Sequence, residues 1–137
     1  MAIFNIFGKK DVSEDITKNI PYRLITEWAP YKMFSGRKSN VMLKVKLRNV
    51  TKEVLLTSLV VELPNKLSFD EIGMSKQREV RVGELAPDEE KEIGLSVYNS
   101  TDADPGEYTV SLAAIAHYRD YGHIINAIKK RTTVQVV

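Results

Sequence analysis

The feature that most constrains this chain is a strict two-residue alternation. Val41, Leu43, Val45 and Leu47 are interleaved with Met42, Lys44, Lys46 and Arg48. Successive side chains therefore fall on opposite faces, and the stretch reads as a half-buried strand with a basic outer row. The same period returns down the chain, at Val54 to Leu63, Arg78 to Val82, Ile93 to Val97, Tyr108 to Ala116 and a last run ending at Val137. Turn chemistry separates these runs: Thr51-Lys52-Glu53, Pro64-Asn65, Gly83, Leu85-Ala86-Pro87-Asp88, and the Asp-rich loop from Asn99 to Gly106. With Tyr22 to Trp28 at the front this makes about seven strands and no long helix after residue 20, the pattern of an antiparallel β-sandwich. A length of 137 residues suits one domain. The expected division is an apolar segment and linker over 1–19, then a sandwich over 20–137.

Composition removes several function classes. Lys plus Arg number 20 against 18 Asp plus Glu, a net charge of +2, too weak a field to make nucleic acid the main partner. The basic row 44–48 also lacks the interleaved aromatic residues that single strands need. No cysteine is present, which excludes a disulfide scaffold, a thiolate metal site and cysteine catalysis. The glycines are scattered singly, so no phosphate-cradling loop forms, and no nucleophile elbow accompanies the serines. The expectation is a non-enzyme without cofactors.

Three stretches carry a family resemblance. SNVMLKVKLRNVTKEVLLTSLVVELP resembles paired strands of prokaryotic immunoglobulin-like repeats; GELAPDEEKEIGLSV resembles the turn preceding a strand in those modules, and DPGEYTVSLAA their penultimate strand. Together, over roughly residues 38 to 137, they resemble the CARDB adhesion-associated domain and the NEW3 modules associated with alpha-galactosidases. The resemblance implies an immunoglobulin-like sandwich that serves as a spacer, adhesin or carbohydrate-enzyme accessory. In DPGEY, Pro105 and Gly106 suit a tight corner, and Tyr108 is placed to return its hydroxyl to nearby backbone. Val110 stands where an antibody domain has its second cysteine, so hydrophobic contact is expected to replace the disulfide.

The candidate site is an apolar excess on the wrong face. If Thr57, Leu59, Val61 and Leu63 point inward, Leu56 and Val60 point out; if Tyr108 to Ala116 point inward at even numbers, Ala113, Ile115 and His117 point out. A type I turn with Gly122 left-handed would set Arg119 opposite His123 and His117 opposite Ile125, adding Ile125 and Ala127 to that face. The expected interface is thus Leu56, Val60, Ala113, Ile115, His117, Ile125 and Ala127, since a patch of that kind marks a contact. The imidazoles of His117 and His123 with Asp120 give too few ligands in that register for a metal site.

The N-terminal MAIFNIFGKKD sets Ile3, Phe4, Ile6 and Phe7 along one side of one or two helical turns. The order of charge and apolar residues is the reverse of a secretory signal, and the stretch is too short to span a bilayer. These four are candidate anchors, and residues 1–10 are expected to be dispensable for folding. The function expected is a non-catalytic binding or scaffold module, cytoplasmic or peripheral at a membrane, acting on a protein partner or as a homodimer. The alternatives are a peripheral membrane subunit held by residues 1–10, or a carbohydrate-enzyme accessory domain.

Overall fold

The computed structural model describes residues 20–137, all of whose regular elements are strands. They are β1 (Tyr22–Ala29), β2 (Lys32–Met33), β3 (Asn40–Asn49), β4 (Leu55–Glu62), β5 (Leu67–Ser68), β6 (Gln77–Leu85), β7 (Glu90–Asn99), β8 (Gly106–His117) and β9 (Ile124–Val136). One sheet has the order β1-β3-β7-β5 and the other β2-β9-β8-β4-β6. The chain is all-β, with the two sheets packed as a sandwich. The residues Ile3, Phe4, Ile6 and Phe7, and the whole of 1–19, lie outside the described residues.

The core follows the alternation. Val41, Leu43, Val45 and Leu47 are at most 1% exposed and meet Leu59, Val61, Val110, Leu112 and Ala114 from the opposite sheet. The basic outer row of β3 pairs with β7 as Lys46 with Glu92 and Arg48 with Glu90, opposite charges placed side by side. Tyr22 enters the interior with its hydroxyl on Thr57 Oγ1 at 2.7 Å, and burial pushes its phenol up to about 12. The Tyr108 hydroxyl donates to the Asp104 carbonyl at 2.7 Å, closing the corner expected of DPGEY, and Val110 is fully buried.

Two asparagines brace the sandwich at strand ends. Asn49 donates to the carbonyls of Glu53 (2.7 Å) and Leu85 (2.9 Å) and accepts from the Thr51 backbone N–H and hydroxyl at 2.8 and 2.7 Å. Asn99 accepts from Ser39 N–H and donates to the carbonyls of Phe34 and Arg37. Strand β1 runs alongside β9 in the same direction. Lys130 Nζ donates to Leu24 O at 3.0 Å, Trp28 Nε1 to Thr132 Oγ1 at 3.0 Å, and Met33 pairs with Val136 in parallel. Ile20 and Val137 consequently lie at opposite ends of the domain.

Three local expectations need correction. The strand Arg78 to Val82 does not stop at Gly83; it continues to Leu85. Gly83, at φ 91°, carries the chain across a register shift opposite Thr57 and Ser58, the bulge role that a glycine can fill without a Cβ penalty. The connection Lys66 to Gly73 contains the short strand β5, which is paired to β7 at Asn99 and Tyr98. In the β8–β9 turn the left-handed residue is Arg119, at φ 69°, instead of Gly122. The Asp120 carboxylate accepts from Gly122 N–H and contacts His123 Nδ1, both at 2.8 Å, while Tyr118 N–H donates to His123 O. This shifts the pairing: His117 faces Ile124, not Ile125, and Tyr118, not Arg119, stands opposite His123.

Candidate functional site

The outer face of the five-stranded sheet is built in rows across β6, β4, β8 and β9. One row reads Glu79, Val60, Ala113, Lys129, and the next Arg81, Ser58, Ile115, Ala127. Register thus sets Val60 beside Ala113 and Ile115 beside Ala127, and these four form an apolar cluster separate from the main core. His117 shares the face. Leu56 sits half-buried at its margin, and Ile125, displaced at the bulge, is 58% exposed.

The burial of this face is unlike that of its counterpart. Along β3 buried residues alternate with more exposed ones, because one side of that strand meets water. In β4 every residue from Thr57 to Val61 is 0% exposed, and in β8 every residue from Leu112 to His117 is at most 3% exposed. Burial on both faces is the signature of a strand with a packed layer on each side.

One end of the face holds a polar cluster. Ser58 Oγ lies 2.6 Å from His117 Nε2, and the Tyr121 ring stands edge-on to the imidazole with centroids 5.0 Å apart. Tyr121 Oη accepts from Gly83 N–H at 3.0 Å, and the Arg81 guanidinium lies 4.8 Å above the Tyr121 ring. Burial holds the His117 imidazole below its ordinary range, and among the described residues the buried Nδ1 has no hydrogen-bond partner. A hydroxyl beside an imidazole is the first element of nucleophilic catalysis, but that chemistry needs a third group on Nδ1 and a hydroxyl that substrate can reach. Ser58 is 0% exposed, and among the described residues no carboxylate is hydrogen-bonded to His117 Nδ1.

His123 is held apart from His117, on the exposed turn. Its contact with Asp120, together with the Gly122 N–H, lowers the Asp120 carboxyl. Among the described residues no group of three His, Asp or Glu side chains is placed to hold a metal ion. The sequence reading brought Val60, Ala113, Ile115 and Ala127 correctly to one face. It missed Ser58, Tyr121 and Arg81, whose only signal was the register that puts Ser58 between Arg81 and Ile115.

The fold defines an immunoglobulin-like β-sandwich module. No family model and no curated sequence matches the chain. Among solved structures, Escherichia coli alpha-2-macroglobulin from domain MG7 to its C-terminus is similar with a TM-score of 0.57 at 18% identity, over 86% of this chain and 17% of that one. The native conformation of the same macroglobulin gives a TM-score of 0.53 at 18% identity, over 83% of this chain and 6% of that one. The CARDB domain of a Pyrococcus furiosus protein, in complex with di-metal ions, aligns with a TM-score of 0.49 at 18% identity, over 85% of this chain and 87% of that one. The likeness to the macroglobulin is one of fold, and the chain spans only a small part of that protein.

Proposed function

We propose that this chain is a non-catalytic contact module that holds an apolar protein segment against the outer face of its five-stranded sheet. The observation that carries the reading is the apolar cluster of Val60, Ala113, Ile115 and Ala127, separate from the main core and continued at its margin by the 58% exposed Ile125, on a face that an antiparallel sandwich ordinarily gives to water. The sealed Ser58–His117 pair supports a role without chemistry. A second copy of the chain is the favoured partner. The row Glu79, Val60, Ala113, Lys129 has opposite charges at its two ends, so a two-fold axis lying in the interface parallel to the strands would set Glu79 of one copy over Lys129 of the other. The second reading is a membrane-peripheral subunit, favoured by Ile3, Phe4, Ile6 and Phe7 standing ahead of Lys9 and Lys10.

The test places the photo-crosslinker benzoylphenylalanine at position 125 of the full chain, at the exposed margin of the face, in cells of the native host. The contact reading expects an adduct with protein, at twice the chain mass if the partner is a second copy, and its loss in the Ile115→Glu background. Lipid adducts would favour the membrane reading. Intramolecular adducts alone would overturn the contact function.

A further inference from the structure

We propose that a second copy of this chain pairs with the free edge of β6, antiparallel about a two-fold axis at Val80, so that two five-stranded sheets join into one. The contact lies at the flank of the sandwich, apart from the outer face, and does not depend on the reading given above for that face.

The first argument comes from the main chain. Among the described residues β6 pairs with β4 on one side and with no strand on the other. Leu63 N–H donates to Lys76 O at 2.8 Å, and the same register sets Val61 opposite Arg78 and Leu59 opposite Val80. In an antiparallel ladder hydrogen-bonded pairs alternate with pairs that exchange no bonds. Arg78 and Val80 therefore turn their N–H and C=O groups to β4, while Glu79 and Arg81 turn theirs to the open side. Such a row is a template for a further strand. The opposite flank is built differently, with β1 laid against β9 through Lys130 on Leu24 O and Trp28 on Thr132.

The second argument is charge. Glu79 and Arg81 stand opposite Val60 and Ser58, so both lie on the outer side, and both are exposed. Among the described residues neither makes an ion pair. Charges on an edge ordinarily keep a second strand away, but here opposite signs flank Val80. With the axis at Val80, Glu79 of each copy stands opposite Arg81 of the other. That pair exchanges both main-chain bonds and sets opposite charges side by side. Val80 meets its own copy on the inner side, where it already packs against the core, and Arg78 stands opposite Val82. Moving the axis by one residue either way puts Glu79 opposite Glu79 or Arg81 opposite Arg81, and like charges directly across are destabilising. The bulge at Gly83 ends the regular run. The contact is therefore short, and the dimer is of the weak class that forms at high protein concentration.

The chain has no cysteine, so single cysteines in the full chain report the register. Val80 faces its copy in a pair without ladder bonds, at a Cα separation of about 4.5 Å, inside the disulfide range of about 4.4–6.8 Å. On mild oxidation Val80→Cys should link at twice the chain mass, and Glu79→Cys should link well only when mixed with Arg81→Cys. In sedimentation equilibrium Glu79→Arg alone and Arg81→Glu alone should each weaken association roughly tenfold. An equimolar mixture of the two should restore it, because one copy then presents two positive side chains to two negative ones. A dimer through the outer face would not be restored this way, and Ile115→Glu should leave the Val80→Cys link intact. A Val80→Cys chain that stays monomeric on oxidation would overturn the edge contact. So would single swaps that associate like the native chain, a mixture that restores nothing, or a link lost in the Ile115→Glu background. Adducts from position 125 bear on the outer face alone, so the two readings fail separately.

Discussion

Replacing Asn49 tests the polar bracing of the sandwich at a residue that makes no apolar contribution. Its side chain is fully buried and makes four hydrogen bonds, two donated to the carbonyls of Glu53 and Leu85 and two accepted from Thr51. In Asn49→Ala the Glu53 and Thr51 groups, at the exposed turn, rehydrate, so each forfeits only the net value of a bond, roughly 0.5–1.5 kcal/mol. The Leu85 carbonyl belongs to a residue that is 0% exposed, and leaving such a group unpaired costs about 1–3 kcal/mol. Some Thr51 contribution is recovered through its own hydroxyl bond to Glu53, which puts the expected loss at about 2–4 kcal/mol. Asn49→Asp is the sharper variant, because it keeps the shape and both acceptors while facing two carbonyls with a carboxylate. Its folded pKa would be raised above the unfolded value of about 3.9. The penalty is therefore complete above the folded pKa and vanishes as pH falls below the unfolded one. Urea unfolding at constant m-value reads both variants. An Asn49→Ala loss below about 0.5 kcal/mol, or an Asn49→Asp penalty that does not shrink between pH 7 and pH 4, would refute the bracing argument.

Three further outcomes are expected. Leu112→Ala, at a fully buried position in the main core, should cost about 2–5 kcal/mol by denaturant midpoint. Tyr108→Phe, which removes only the hydroxyl bond to the Asp104 carbonyl, should cost about 0.5–1.5 kcal/mol and leave the circular dichroism spectrum unchanged. His117 is held below its ordinary range by burial, so the unfolded chain takes up its proton first; stability is complete above the unfolded pKa of about 6.5 and is lost as pH falls through it. Midpoints at pH 5 and pH 7.5 should show that loss in the native chain and a smaller one in His117→Gln.

The inward and outward sets of β3, β4 and β8 were legible because period two is a property of consecutive residues. Tyr108 was legible because Pro105 and Gly106 set the corner it serves. What the sequence hid was decided by partners distant in the chain. Asn99 reads as the start of a loop and Asn49 carries no signal, since nothing local shows that their amides reach Phe34 or Leu85. At the β8–β9 turn the glycine was a misleading guide. Asp120 holds Gly122 by its N–H, and the left-handed residue falls at Arg119, which moved Ile125 out of the cluster. The two-residue strands β2 and β5 are too short to show any period. The double-sided burial of β4 was half legible: its apolar excess was evident, but not its closure.

The course of β1 beside β9 has a mechanical consequence. With Ile20 and Val137 at opposite ends, a pull between them drags β1 along β3 and β9 along β8, parallel to the strand axes. Antiparallel ladder bonds lie across those axes, so the load falls on the bonds of each ladder together instead of opening them one after another. Such a module resists stretching far better than peeling. It would behave as a stiff link when force arrives through both ends of the chain, and yield first where only a single edge strand is drawn sideways.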